Sequence, residues 1–171
     1  RLQPPGEMLK ADAELDCGES ATLLRILPPL LCARAQGRVT CTCRGTLRQR
    51  PLATVLEAVR ALGGTADLLE DGSGLTVQGP LRGGSFRLDG SQGSQALSGL
   101  LMTLPLLPGK HRLEVTAGQS LPYLHLTARV MRERGIVLEP LPDRVGWTVT
   151  GGQTYRGGAF DLEPDWSAAA F

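Results

Sequence analysis

The residues best suited to chemistry lie between a short strand, 86–88, and an apolar run of helical spacing (Leu97, Leu100, Leu101, Leu104). Between them stands Asp89-Gly90-Ser91-Gln92-Gly93-Ser94-Gln95. A Gly/Ser loop feeding a helix collects unpaired backbone N–H groups and small hydroxyls where the helix macrodipole favours an anion. Gly90 and Gly93 carry no Cβ and let the main chain approach a ligand closely. The same residues also suit an ordinary helix capped by Ser94, and this stretch alone leaves both readings open.

The elements that must hold this loop follow from periodicity. A strand over 11–15 leads through Asp16-Cys17-Gly18-Glu19 to Ser20, the expected N-cap of a helix reaching about Ala35. Pro28-Pro29 inside that helix predicts a kink or an early end, since an interior proline costs about 3 kcal/mol. An alternating strand over 38–43 and a polar loop over 44–50 follow. Pro51 then suits the first position of a second helix, whose stripe is Leu52, Val55, Leu56, Val59 and Leu62 and whose stop is Gly63-Gly64. Strands over 66–69 and 75–78 form a hairpin around Glu70-Asp71-Gly72-Ser73-Gly74.

From there the pattern restarts. Leu15-Asp16 recurs as Leu88-Asp89 and, with Glu for Asp, as Leu162-Glu163. Ser20 and Ser94 open the first helices of successive units, Pro51 and Pro122 the second, and Gly64 and Gly135 end them. Arg82-Gly83-Gly84-x-Phe86 recurs as Arg156-Gly157-Gly158-x-Phe160. The unit is therefore βαβαββ, too long for a stacked solenoid, and its crossovers imply parallel strand pairs in an α/β domain. Residues 1–171 read as a single domain, with 1–10 an irregular lead-in.

Composition narrows the function classes. At 171 residues, 42% hydrophobic and 20% charged, the chain suits a globular domain. A net charge of +1 gives no electrostatic case for nucleic acid or an anionic membrane, and aromatics at 4% are too few for base-stacking platforms. The four cysteines (Cys17, Cys32, Cys41, Cys43) contain no C-x-x-C pair and lie far from His111 and His125, so zinc is not expected. With no leader or long apolar span in view, reduced thiols in the cytoplasm are the expectation, Cys17 being the thiol most open to reaction. Both histidines read as structural.

Five segments in order resemble the 5-enolpyruvylshikimate-3-phosphate (EPSP) synthase family. They are Asp16-Cys17-Gly18-Glu19-Ser20, Arg48-Gln49-Arg50-Pro51, Asp89-Gly90-Ser91 through Ser94-Gln95, Ser120-Leu121-Pro122-Tyr123, and Glu163-Pro164-Asp165-Trp166-Ser167-Ala168-Ala169. The resemblance implies repeated βαβαββ units of the enolpyruvyl transferase type, about two units plus partial ends, with pseudo-threefold symmetry and helices buried inside. It implies transfer of the enolpyruvyl group of phosphoenolpyruvate to the 5-hydroxyl of shikimate-3-phosphate, with no cofactor and no metal. Both substrates are small anions, which hydroxyls, backbone N–H groups and guanidiniums recognise.

Carried over residue by residue, Gly93, Ser94, Gln95, Ser120 and Tyr123 would bind shikimate-3-phosphate. Ala21, Arg50 and Gln95 would face phosphoenolpyruvate, with Arg48 a weaker candidate. The family has Ser where this chain has Gly93, so one hydroxyl contact is lost there. It often has Gly where this chain has Ala21, and members with Ala there tend to tolerate the inhibitor glyphosate. Arg25 reads as structural, and Asp165 is explained as well by N-capping. No residue of this chain is assigned a catalytic role. The resemblance further implies that these residues make up most of an N-terminal domain, with a Lys-Ser-x-x-x-Arg motif and the whole second domain outside them, so the isolated piece is expected to be inactive. A transferase acting on UDP-N-acetylglucosamine, an RNA 3′-phosphate cyclase or a non-catalytic phosphate-binding module are the alternatives. Ser94-Gln95 and Ser120-x-Pro-Tyr123 favour the shikimate substrate over the first.

Overall fold

The computed structural model describes residues 12–118 and 120–159. The proposed motif at Glu163, Asp165 and Ser167, the repeat members Phe160 and Leu162, and the lead-in over 1–10 lie outside the described residues. Two units of identical order follow one another. The first holds β1 (Ala13–Asp16), α1 (Ala21–Arg34), β2 (Arg38–Thr42), α2 (Ala53–Ala61), β3 (Thr65–Leu68) and β4 (Gly74–Gln78). The second holds β5 (Ser85–Gly90), α3 (Gln95–Thr103), β6 (Lys110–Gly118), α4 (Leu121–Glu133), β7 (Leu138–Pro140) and β8 (Gly146–Thr150). Each builds its own four-stranded sheet, in the orders β1-β2-β4-β3 and β5-β6-β8-β7. The strands before and after the first helix pair in parallel, and the closing hairpin adds two antiparallel ladders. The βαβαββ repeat read from the sequence is thus the architecture.

Local chemistry repeats with it. Asp16 Oδ1 accepts the Gly18 N–H at 2.7 Å, and Asp89 Oδ1 accepts the Ser91 N–H at 2.8 Å, so the recurring Leu-Asp ends each first strand in the same side-chain-stabilised turn. Each second helix ends on a left-handed glycine, Gly63 at φ 88° and Gly135 at φ 84°. Gly63, not Gly64, is therefore the counterpart of Gly135. The linker leaving each unit returns to that helix end. The Arg82 N–H donates to Leu62 O at 2.7 Å and the Arg156 N–H to Arg134 O at 2.8 Å, with each arginine stem lying against the glycine.

Several expectations are corrected. α1 runs through Pro28 and Pro29 without ending early, because both rings are buried and their packing offsets the missing N–H donors. α2 starts at Ala53, with Leu52 as its cap, so Pro51 precedes the helix. The supposed loop over 44–50 contains a short 3-10 helix, Gly45–Gln49, pinned by buried Leu47. Ser20 caps α1 as expected, accepting the Leu23 N–H at 3.3 Å.

The units meet through α1 and α3. Seven of the nine residues of α3 are buried, which marks a helix enclosed on all sides. Leu24, Leu97, Leu100, Leu101, Leu104 and Leu124 are at most 1% exposed. Each such leucine contributes roughly 1.5–3 kcal/mol. At the crossing, Gly99 lies directly on the α1 backbone, where an added Cβ would overlap the Ile26 carbonyl. His111, at 2% exposure, accepts the Gly84 N–H on Nδ1 at 3.1 Å and faces Leu107 O through Nε2 at 3.4 Å, a neutral tautomer serving structure as expected.

Two expectations about stability follow. Gly99→Ala gains about 1 kcal/mol of helix propensity but forces the two backbones apart, and a net loss of about 1–3 kcal/mol should appear in urea unfolding; an unchanged or raised midpoint would remove the close contact. Burial pushes the Cys32 thiol up to about 11 and Cys41 up to about 12 from 9.0. The folded state therefore holds these protons more tightly than the unfolded chain. Their contribution is complete below pH 9 and is lost as pH rises towards the folded values, by about 1.4 kcal/mol per pH unit for each thiol. Urea midpoints should fall between pH 9 and 11, and less steeply in Cys41→Ala.

Candidate functional site

α1 and α3 enter the interface side by side, which brings the α1 residues Thr22, Arg25 and Ile26 against the loop leading into α3. Together with α4 they enclose a cleft of about 420 Å³. Gln92, Gly93, Ser94, Gln95 and Ser98 form one wall, and Ser120, Tyr123, Leu126 and Thr127 another. Gly93, Ser94, Gln95, Ser120 and Tyr123, singled out from separate stretches of the sequence, are thus brought together. Ala21 and Arg50 do not line this cleft. Ala21 is the first residue of α1, half-buried against the core. Arg48 and Arg50 line a separate hollow of about 230 Å³ beside Pro51 and Leu68.

Backbone conformation prepares two of the polar positions. Gly93 has φ 112° with open space where a side chain would stand, which only glycine adopts without strain. Ser120 has φ 61° and ψ 30°, a left-handed conformation rare for serine, and its hydroxyl makes no cap bond to α4. Ser94 is buried, yet its hydroxyl does not cap α3 either. The ordinary-cap reading of Ser94 is therefore not what the helix uses. Tyr123 is 62% exposed, its ring standing at the cleft rim and not in the core.

Side-chain bonds fix the floor. Ser98 Oγ lies 3.0 Å from Thr127 Oγ1, and Thr127 Oγ1 donates to Tyr123 O at 2.9 Å, so the Ser98 hydroxyl donates to Thr127 and ties α3 to α4. Arg25 Nη1 donates to Gln95 Oε1 at 3.1 Å and Nη2 to Pro51 O at 3.2 Å, while Gln95 Nε2 donates to Thr22 Oγ1 at 3.2 Å. Among the described residues lining the cleft, Arg25 alone carries a charge. Burial, and then the neighbouring Arg50 charge, hold its guanidinium below the usual arginine value. One guanidinium in the wall, with the Arg50 charge near it outside the cleft, and several hydroxyls and amides around it suit a ligand bearing negative charge.

Sequence reasoning missed Thr22, Ser98 and Thr127 and set Arg25 aside. One signal was available: Thr22, Arg25 and Ile26 share a helix face by spacing, the face that Gly99 approaches. Cys17 departs from expectation in the other direction. It is 3% exposed, and burial, followed by the charges of Cys43 and Asp16, raises its thiol above the ordinary value, which disfavours the thiolate. All four cysteines are free and buried. Among the described residues no group of His, Cys, Asp and Glu is placed to hold a metal ion, and no helix is long and apolar enough to cross a membrane.

Comparison with known proteins gives this arrangement its context. The family EPSP synthase (3-phosphoshikimate 1-carboxyvinyltransferase) matches residues 2–171. A 3-phosphoshikimate 1-carboxyvinyltransferase of Clostridium perfringens is 33% identical over 170 residues, 97% of this chain and 40% of the relative. Another, from Methanosphaerula palustris, is 38% identical over 164 residues, 92% of this chain and 38% of the relative. The chain therefore spans about 40% of the length of the relatives it matches. In fold it resembles EPSP synthase from Acinetobacter baumannii (TM-score 0.68, 19% identity, 91% of this chain and 33% of that one). It also resembles the enolpyruvyl transferase NikO from Streptomyces tendae (TM-score 0.55, 17% identity, 72% of this chain and 28% of that one). With the match running over nearly its whole length, the chain belongs to the EPSP synthase family.

Proposed function

We propose that this chain forms the shikimate-3-phosphate side of an enolpyruvyl transferase. That enzyme would move the enolpyruvyl group of phosphoenolpyruvate to the 5-hydroxyl of shikimate-3-phosphate and release phosphate. The observation that carries the reading is the convergence of Gly93, Ser94, Gln95, Ser120 and Tyr123, from two separate helix starts, on one cleft. Ser94 and Ser120 have hydroxyls not spent on capping, and with the N–H groups near Gly93 they suit a phosphate. Tyr123 offers a flat face to the ring. Gln95 stands between this pocket and the Arg25–Arg50 side, where phosphoenolpyruvate would lie. Arg50 presents a planar fork suited to a carboxylate or phosphate.

Residues 1–171, on this reading, are most of an N-terminal domain, and groups from a second domain complete the site across the cleft. The proton donor for the methylene carbon and the base for the hydroxyl are assigned to no residue of this chain. The reaction as proposed uses small anionic substrates, with nucleic acid and membrane playing no part. Four free buried thiols are in keeping with a cytoplasmic setting.

Titration of the 171-residue chain with shikimate-3-phosphate tests the site directly. The amides of 93–95 should shift, and Ser94→Ala should weaken binding about tenfold, or 1.4 kcal/mol. Shifts confined to other amides at millimolar ligand would overturn the assignment. Ala21 bears on the second substrate. If its methyl faces the phosphoenolpyruvate pocket, Ala21→Gly in the full-length enzyme should lower the glyphosate inhibition constant at least tenfold, since a misplaced methyl costs roughly 1–3 kcal/mol. The Michaelis constant for phosphoenolpyruvate should change much less. Equal shifts of both constants would take Ala21 out of the pocket.

A further inference from the structure

Gln95 has a carboxamide whose two ends are chemically opposite, an acceptor oxygen and a donor NH2. Which end faces an incoming ligand decides whether that ligand is attracted or repelled when it is an anion. The amide has no strong preference of its own, because rotation by half a turn exchanges the ends at little steric cost. Something beside it must break the tie.

Arg25 does so. A guanidinium has five N–H donors and no acceptor, so the group it meets at 3.1 Å must be the Gln95 oxygen. With Oε1 committed there, Nε2 faces Thr22 Oγ1 at 3.2 Å and spends one proton on it. The second Nε2 proton is left over, and Gln95 lines the cleft. A flipped amide would press its NH2 against a cation and its oxygen against a hydroxyl, losing a charge-assisted bond. The fork is itself anchored. Nη2 donates to Pro51 O at 3.2 Å, on the residue that follows Arg50, so the same side chain sets the distance between Gln95 and the Arg50 segment. Among the described residues Arg25 has no carboxylate partner within 4.0 Å, and its hydrogen bonds all run to neutral oxygens.

From this geometry we infer that Arg25 is a positioning residue, which holds the Gln95 amide with its N–H towards the anionic substrate. The role rests on the proposed function, in which Gln95 lies between the two substrates. Lysine cannot replace it, since one ammonium on a flexible stem does not span both Gln95 Oε1 and Pro51 O in a fixed plane.

A double-mutant cycle on kcat/KM for phosphoenolpyruvate in the full-length enzyme tests this, using Arg25→Lys, Gln95→Ala and the two combined. Arg25→Lys should lower kcat/KM at least tenfold in the wild-type background and less than twofold once residue 95 is alanine. Thermal midpoints are measured alongside, and Arg25→Met, which keeps the apolar stem, takes its place if the lysine variant does not fold. Multiplying losses would mean that Arg25 acts on substrate or structure independently of Gln95, and would overturn the positioning role alone. An unaffected kcat/KM in Gln95→Ala would instead show that the substrate-site assignment has failed, and the Arg25 role would fall with it.

Discussion

The backbone contact between Gly99 of α3 and Ile26 of α1 governs the rest of the molecule. Each sheet satisfies its own ladders, so nothing in the strands obliges the two units to associate. What joins them is a helix–helix seam in which one residue lacks a side chain. Close approach there lets Leu24 and the leucines of α3 interlock, and apolar burial at this seam is a large part of what holds the units together. It also sets the spacing between Thr22 and Arg25 on one helix and Gln95 on the other. A bond of 3.1 Å between Arg25 and Gln95 has little tolerance for a seam widened by a methyl group. Packing at the middle of two helices thus determines polar geometry at their ends.

The chemistry of the cleft follows from what that seam excludes. Its floor is closed by the Ser98 and Thr127 hydroxyls, which end on the Tyr123 backbone carbonyl, and no buried side-chain polar atom among the described residues lacks a hydrogen-bond partner. Satisfied polar groups in partly excluded solvent hold their orientation, and an oriented dipole acts on a ligand without first having to reorganise. The polar part of the cleft is therefore mostly neutral hydroxyls and amides, with one guanidinium held in place by two neutral acceptor oxygens. On the proposed function, that balance is how a chain with a net charge of +1 would receive an anion.

Much of this was legible in the sequence. The repeat of Leu-Asp, Ser, Pro and Gly positions gave the order of elements, because the same turn chemistry recurs at Asp16 and Asp89. Five positions of the cleft could be named from their resemblance to a family, and they share one cleft. What escaped is what depends on a second element. Gly99 in isolation is only a poor helix residue, and its use is visible only with Ile26 opposite. Pro28 and Pro29 suggest a break, since propensity knows nothing of the burial that overrides it. Arg25 gives no sign of its partners, which lie on Pro51 and on another unit's helix. The left-handed Ser120 is equally silent, because its strain is imposed by surrounding structure.

The linker arginines carry a consequence for how such a chain is made. Arg82 closes onto Leu62 and Gly63 as the first unit ends, and every described strand pairing of that unit lies between Ala13 and Gln78. During synthesis, then, the first unit can complete its sheet and latch its last helix while the second is still being translated. α1 gains its α3 partner at the helix seam only once the second unit has been made. The glycine that later makes the fit is reached only in the second unit, so assembly waits on a residue that the ribosome adds late.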